Sequence, residues 1–256
     1  MNHRAPALAL LLAAGTSAAQ ACKDSPTAPA GARPGVRAAP AAATPATAAG
    51  NAFTRNFRLW ACDFETTGDN PFFPLLPGLT TFLEGEDDGE RLRLRIKVLH
   101  RTAVVGGVRT RVVEEREHIN GELVEVSRNF FAHCRQNGSV FYFGEEVDIY
   151  EEGRIVSHEG AWRHGEGGAR AGIIMPGLPL IGARYFQEIA PGVALDRAEV
   201  LDVRATVRTP YRELRNALVT RETTPLEPDD VTEKVYAAGI GLVVDAGARL
   251  VRVERP

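Results

Sequence analysis

The chain has 256 residues, of which 44% are hydrophobic, and its 30 Lys and Arg against 33 Asp and Glu give a net charge of -3. Disordered chains contain fewer hydrophobic residues, and general nucleic-acid binders carry a strong positive excess. The composition therefore excludes both classes and predicts a globular protein without a nucleic-acid partner.

Residues 1–21 are organised like an export signal peptide. Arg4 gives a positive start, an apolar run follows, and small alanines at positions 19 and 21 precede Cys22. The apolar run is shorter than the roughly 20 residues of a membrane span. Two outcomes of cleavage before Cys22 are open: ordinary secretion, or bacterial lipoprotein processing, in which the Cys22 thiol is acylated.

Cysteine parity favours the lipoprotein outcome. The chain has three cysteines, Cys22, Cys62 and Cys134, so acylation of Cys22 leaves an even pair. In an oxidising compartment Cys62 and Cys134 would form a disulfide, and two unpaired buried cysteines are the alternative.

Residues 22–50 are predicted to be a disordered tether. From Thr27 to Gly50, 21 of 24 residues are Ala, Pro, Thr or Gly, which cannot bury enough apolar surface to fold. A lipid at Cys22 would then hold one folded domain, residues 51–256, away from a membrane surface. That domain carries 26 basic and 32 acidic residues, which argues against recruitment by anionic lipid or nucleic acid.

In this domain the hydrophobic residues recur mostly with a period of two. The clearest case is residues 91–98, where apolar and cationic side chains alternate, and this pattern predicts a β-strand. Asn120-Gly121 and Asn137-Gly138 are typical of hairpin turns. The same reasoning predicts strands at Thr80–Leu83, Val108–Glu117, Val140–Tyr150, Arg154–Trp162, Glu199–Thr209, Arg215–Thr223, Val231–Tyr236, Gly241–Val244 and Leu250–Val253.

An antiparallel meander of some ten strands must protect its edges, and curling into a barrel or half-barrel is the usual solution. The sequence therefore predicts an all-β fold with little helix, at most a short one at residues 196–201. The Gly- and Pro-rich segment at residues 165–192 is predicted to cap the barrel mouth.

Two sets of segments carry a resemblance to known proteins. Thr224–Pro228 followed by Glu233–Val243 resembles the closing hairpin of periplasmic lipocalin-like proteins, the group that includes outer-membrane lipoprotein carriers. This resemblance implies a curved antiparallel sheet around an apolar pocket. The central segments are similar to exported bacterial proteins without an assigned activity: Phe141–Glu146, Gly160–Trp162, Gly172–Gly177 and Tyr185–Glu188.

The sequence contains none of the common catalytic motifs. It has no Gly-x-Ser-x-Gly, His-Glu-x-x-His, phosphate-loop or Cys-x-x-Cys pattern, which disfavours hydrolases, metalloproteases, nucleotide enzymes and thiol oxidoreductases. His158 and His164 would stand about 20 Å apart on a straight strand, too far for one ion. Co-ligation would need a bend at Gly160, with Met175 or Glu188 as a further ligand, so we expect ordinary hydrogen-bonded histidines and predict neither a metal nor a cofactor.

A small-molecule site needs apolar walls and a few polar groups that fix orientation. Residues of both kinds are concentrated near the glycine-rich breaks between 143 and 196, and they are the candidate ligand-binding residues: Phe143, Trp162, Met175 and Tyr185 as walls, with His164, Gln187, Glu188 and Asp196 as polar groups.

Three functions are compatible with these patterns. The first is a membrane-tethered lipoprotein of the bacterial cell envelope that binds a small apolar or amphipathic molecule in a barrel pocket. The second is a small β-barrel enzyme using Glu, Asp and His chemistry at residues 158–197, for which Glu145 is a further carboxylate. The third is a structural module of the envelope.

Overall fold

The computed structural model describes residues 52–87 and 89–256, and it confirms the all-β prediction. Of these residues 61% are in strands and 1% in helix, the helix being one 3-10 turn at Leu59–Ala61. No helix in these two ranges is long and apolar enough to cross a membrane. The strands are β1 Phe64–Glu65, β2 Thr80–Asp87, β3 Glu90–Val105, β4 Val108–Ile119, β5 Glu122–Cys134, β6 Val140–Glu151, β7 Arg154–Ser157, β8 Trp162–Arg163, β9 Arg170–Met175, β10 Arg184–Phe186, β11 Glu188–Ile189, β12 Arg197–Arg208, β13 Glu213–Thr223, β14 Val231–Ala237, β15 Gly241–Asp245 and β16 Ala248–Glu254.

Thirteen of these strands form one antiparallel path that is nearly closed into a barrel. Its order is β10-β12-β13-β14-β15-β16-β2-β3-β4-β5-β6-β9-β11, so most neighbours in space are also neighbours in the chain. β1 pairs with β5, and both β7 and β8 pair with β6 outside this path. The predicted meander is confirmed, with β16 pairing with β2 to join its two halves.

The barrel has one seam, and it lies where the path begins and ends. β10 and β11 are separated by Gln187 alone, yet β10 pairs with β12 and β11 pairs with β9. Gly172 of β9 approaches this seam so closely that a Cβ atom there would lie 2.4 Å from the Phe186 carbonyl oxygen. Glycine is therefore required at position 172.

Residues that alternate along β4, β5 and β6 form two hydrophobic clusters on opposite faces of the sheet. The inner cluster includes Phe131 and Tyr142, and the outer cluster includes Phe130, Phe141 and Phe143. Both faces of these strands are buried because the N-terminal segment of the domain covers the outer one.

The N-terminal segment is held on the outer face by aromatic contacts and by a disulfide. Phe57 and Phe64 pack edge-on against Phe141, with ring centroids 5.9 and 5.5 Å away. Cys62 is bonded to Cys134 of β5. Burial of both faces of β5 and β6 follows from this cover.

One end of the barrel is covered by residues 70–79, called the cap below. Asn70 fixes its start, because the side-chain amide donates to the carbonyls of Gly138 and Pro176 at 2.8 and 3.2 Å. Phe73 packs against Phe131, with ring centroids 4.8 Å apart, and Leu79 is buried in the inner cluster.

The segment at residues 165–192 contributes the short wall strands β9, β10 and β11 as well as irregular backbone, and the seam lies within it. The short helix considered at residues 196–201 is absent, since strand β12 begins at Arg197. The predicted strand Arg154–Trp162 is divided into β7 and β8 by a turn. The predicted signal peptide, the tether and Cys22 lie outside the described residues.

Candidate functional site

A partly open cavity of about 80 Å³ lies beneath the cap. Its walls are mostly aliphatic and aromatic, and its polar groups are few, which is the usual composition of a small-molecule site. The polar lining residues are Thr81, Glu115, Lys234, Tyr236 and Asp245; the apolar ones include Phe73, Leu79, Ile96, Val98, Val113, Phe131, Ile174, Ile240 and Leu242.

The strand registers explain how the polar groups reach one place. Lys234 of β14 lies opposite Asp245 of β15, and Tyr236 follows Lys234 by two residues on the same strand. On the other wall, Glu115 of β4 lies opposite Ile96 of β3. Because alternate strand residues share a face, all these side chains are directed toward the cavity.

Lys234 is held by two carboxylates. Its Nζ lies 3.1 Å from Oε2 of Glu222 and 3.5 Å from Oδ2 of Asp245. Burial lowers the pKa of Lys234, but the charges of Asp245 and Glu222 outweigh it and hold the pKa well above its usual range. The ammonium is therefore charged, and its two counter-ions are already in place.

Glu115 is different, because within the described ranges its carboxyl forms no hydrogen bond or ion pair and is affected only by burial and by the charges of Lys234 and Asp245. Burial raises the pKa of Glu115 to about 7; Lys234 opposes this rise and Asp245 adds to it. An acidic side chain thus lines the apolar cavity without a partner of its own.

A second group of carboxyls lies along the seam. The backbone N–H of Asp196 donates to Oε1 of Glu188 at 2.6 Å, and the N–H of Gln187 donates to the Asp196 carbonyl at 2.8 Å. A bulge at Gly144, where φ is 142°, brings Glu145 opposite Asn129 and thus onto the inner face.

Burial is the main cause of the raised pKa values of the carboxyls in this second group. It raises the pKa of Glu145 and of Glu188 well above the usual carboxyl range, and it raises the pKa of Asp196 to about 7. The carboxyls also raise one another's pKa, because Asp196 acts on both Glu188 and Glu145. Protonated carboxyls are favoured here at neutral pH.

Glu222 connects the two groups. Its Oε1 accepts from Tyr236 Oη at 3.3 Å and from Gln187 Nε2 at 3.1 Å, so the cavity wall and the seam share one hydrogen-bond network. Several buried acceptor oxygens of this network have no described partner: Oε1 of Gln187, Oε1 of Glu145, Oε2 of Glu188 and Oδ1 of Asp196.

The structure brings together four of the eight predicted ligand-binding residues. Gln187, Glu188 and Asp196 meet at the seam, and Tyr185 is buried nearby, where Glu222 adds to the effect of burial in raising its pKa. None of the four lines the cavity described above.

The other four predicted residues are divided between the two faces of the sheet. Trp162 packs against Tyr142 with ring centroids 5.1 Å apart, and Met175 is buried in the same inner cluster. Phe143 and His164 pack against each other on the outer side, with ring centroids 5.5 Å apart, so they cannot share a pocket with Trp162 and Met175. These four residues are likewise absent from the cavity wall.

Within the described ranges, no group of three or more His, Cys, Asp or Glu side chains is arranged to hold a metal ion. The two histidines with metal-like spacing have other partners. His158 Nδ1 lies 3.0 Å from Asp148 Oδ1, and His164 Nδ1 accepts from the backbone N–H of Ala171 at 3.0 Å.

Sequence reasoning missed the residues that line the polar side of the cavity, namely Glu115, Lys234 and Asp245. A usable signal was present for Glu115, which follows the apolar Val113 by two residues and so shares its face in any strand. Glu114 is adjacent and equally acidic, however, and only the pairing with β3 shows which of the two faces inward.

Comparison of the chain with protein-family models, with curated proteins and with solved structures found no match. The resemblance to lipocalin-like carriers therefore rests on the residues of the β14–β15 region alone.

Proposed function

We propose that this protein is an exported, membrane-tethered lipoprotein of the bacterial cell envelope that binds a small amphipathic molecule inside its barrel. The observation that supports binding is the cavity beneath the cap, whose apolar walls end on Glu115, Lys234 and Asp245. Such a cavity accommodates an apolar body at one side and a polar group at the other.

Two observations support export and tethering. The bond between Cys62 and Cys134 supports export, because disulfides are typical of oxidising compartments such as the periplasm and rare in the cytosol. It also leaves Cys22, directly after the predicted signal peptide, as the single remaining cysteine and thus the candidate for acylation.

The enzymatic alternative is less well supported. Its acid and base candidates, Glu188 and Asp196, are both buried and lie outside the cavity wall. His164, the histidine closest to them in sequence, packs on the outer face.

Binding is tested by filling the cavity. Leu242→Phe adds bulk to the cavity wall, and Leu226→Phe makes the same change at an exposed position as the control. We expect Leu242→Phe to abolish the rise in melting temperature that small amphipathic molecules cause in the parent, while Leu226→Phe preserves it. An equal ligand response in both variants would contradict binding in this cavity.

Tethering is tested separately with Cys22→Ser in the full chain. We expect the parent to partition into the detergent phase of a two-phase extraction and the variant to move to the aqueous phase. Equal partitioning of the two proteins would refute the lipoprotein assignment.

A further inference from the structure

Acidic side chains greatly outnumber basic ones around the cavity. Seven carboxyl side chains interact with one another in the interior, and among the described residues Lys234 is the one basic side chain that forms an ion pair with any of them. The seven are Glu115, Glu125, Glu145, Glu188, Asp196, Glu222 and Asp245.

Lys234 cannot balance Glu115. Its ammonium is already shared between Glu222 and Asp245, at 3.1 and 3.5 Å. Glu115 is thus the carboxyl that lines the cavity and lacks a cationic partner. An apolar site that ends on a carboxyl without a cationic partner is complementary to a positively charged group, because the carboxyl ionises when a cation lies against it.

We infer that the molecule bound in the cavity is a small primary amine, whose ammonium group lies against Glu115 and whose hydrocarbon body contacts the walls formed by Phe73, Val98 and Ile174. This inference rests on the proposed binding function and specifies its ligand class. An anion would meet unpaired carboxyls, with the nearby cation already occupied. A neutral polar group would leave Glu115 protonated and would form no ion pair with it.

The size of the cavity indicates how much of the amine it can bury. At about 10–15 Å³ for each water-sized group, a cavity of about 80 Å³ holds on the order of five to eight non-hydrogen atoms. A linear amine with a six-carbon chain falls in this range.

Three probes of the same size and different charge test the inference on the parent protein by isothermal titration calorimetry. They are hexylamine, hexan-1-ol and pentanoate, each with seven non-hydrogen atoms. We expect hexylamine to bind at least about tenfold more tightly than hexan-1-ol, a difference of about 1.4 kcal/mol, and pentanoate to bind least.

Glu115→Gln should remove the preference by weakening hexylamine binding about tenfold and leaving hexan-1-ol binding unchanged. Glu233→Gln, an exposed glutamate next to Lys234, is the matched control and should bind hexylamine like the parent. If hexan-1-ol or pentanoate binds to the parent as tightly as hexylamine, the amine inference is overturned and the binding function stands. If none of the three binds, both are overturned. The probe series on the parent decides the question even if Glu115→Gln does not fold.

Discussion

Replacing Glu115 by glutamine should change how the stability of the barrel depends on pH. The folded protein favours the protonated carboxyl, since burial raises the pKa of Glu115 from 4.5 to about 7. The unfolded chain loses this proton near pH 4.5, so above that pH unfolding releases a proton and becomes easier. The penalty is absent below about pH 4.5, grows as the pH rises, and is complete above about pH 7.

The size of the stability penalty follows from the pKa shift of Glu115. Each pH unit in this window costs about 1.4 kcal/mol, so the penalty at pH 7 is about 3 kcal/mol. For a domain of about 200 residues this corresponds to roughly 8 °C in melting temperature. Glutamine keeps the shape of the side chain and cannot ionise, so Glu115→Gln should escape the penalty.

Thermal unfolding of the parent and of Glu115→Gln from pH 4 to pH 8 measures this stability penalty. We expect equal melting temperatures near pH 4 and a more stable variant at pH 8. Glu233→Gln controls for the loss of a surface carboxylate. Parallel curves for Glu115→Gln and the parent would refute the argument, because they would mean that Glu115 ionises equally easily in the folded and unfolded states.

Three further predictions concern the architecture. Trp162→Ala should lower the free energy of unfolding by about 3–5 kcal/mol in urea titrations and leave hexylamine affinity unchanged, because the indole packs in the core and not in the cavity wall. Gly172→Ala should lower the melting temperature, since its Cβ would lie 2.4 Å from the Phe186 carbonyl oxygen; an unchanged value would contradict the close approach at the seam. Reducing the bond between Cys62 and Cys134, which are 72 residues apart, should cost about 4 kcal/mol of unfolding free energy, and equal stability with and without reductant would contradict this.

Most of the barrel could be predicted from the sequence because its signals are local. The alternation at residues 91–98 falls within β3, and the Asn120-Gly121 turn joins β4 to β5, where both residues have positive φ. The burial of Phe141 and Tyr142 on opposite faces of one strand could not be predicted in this way. It depends on Phe57 and Phe64, which are distant in sequence and cover the outer face.

The site was less accessible to sequence reasoning, for a physical reason. Glu188 and Asp196 are predicted site residues because they lie among apolar residues near glycine-rich breaks, and both are buried in the structure. Glu115 and Lys234 lie on strands with many charged residues, where an inward carboxylate or ammonium resembles an outward one. Only the register between strands places them on the cavity side.

Proximity in sequence also did not predict which side chains lie together in the folded protein. Phe143 and Trp162 belong to paired strands, but their side chains lie in the outer and the inner cluster. The bulge at Gly144 changes which face each residue of β6 occupies, and no single-strand pattern predicts it.

Native mass spectrometry of the full chain, purified from the envelope of a bacterial host, tests the central claim of ligand binding in the barrel most directly. We predict that the parent carries a small bound molecule in addition to the lipid, and that Leu242→Phe, which fills the cavity wall, loses the molecule and keeps the lipid. A parent without a bound molecule, or a molecule retained equally by Leu242→Phe, would contradict the assignment of this cavity as the binding site.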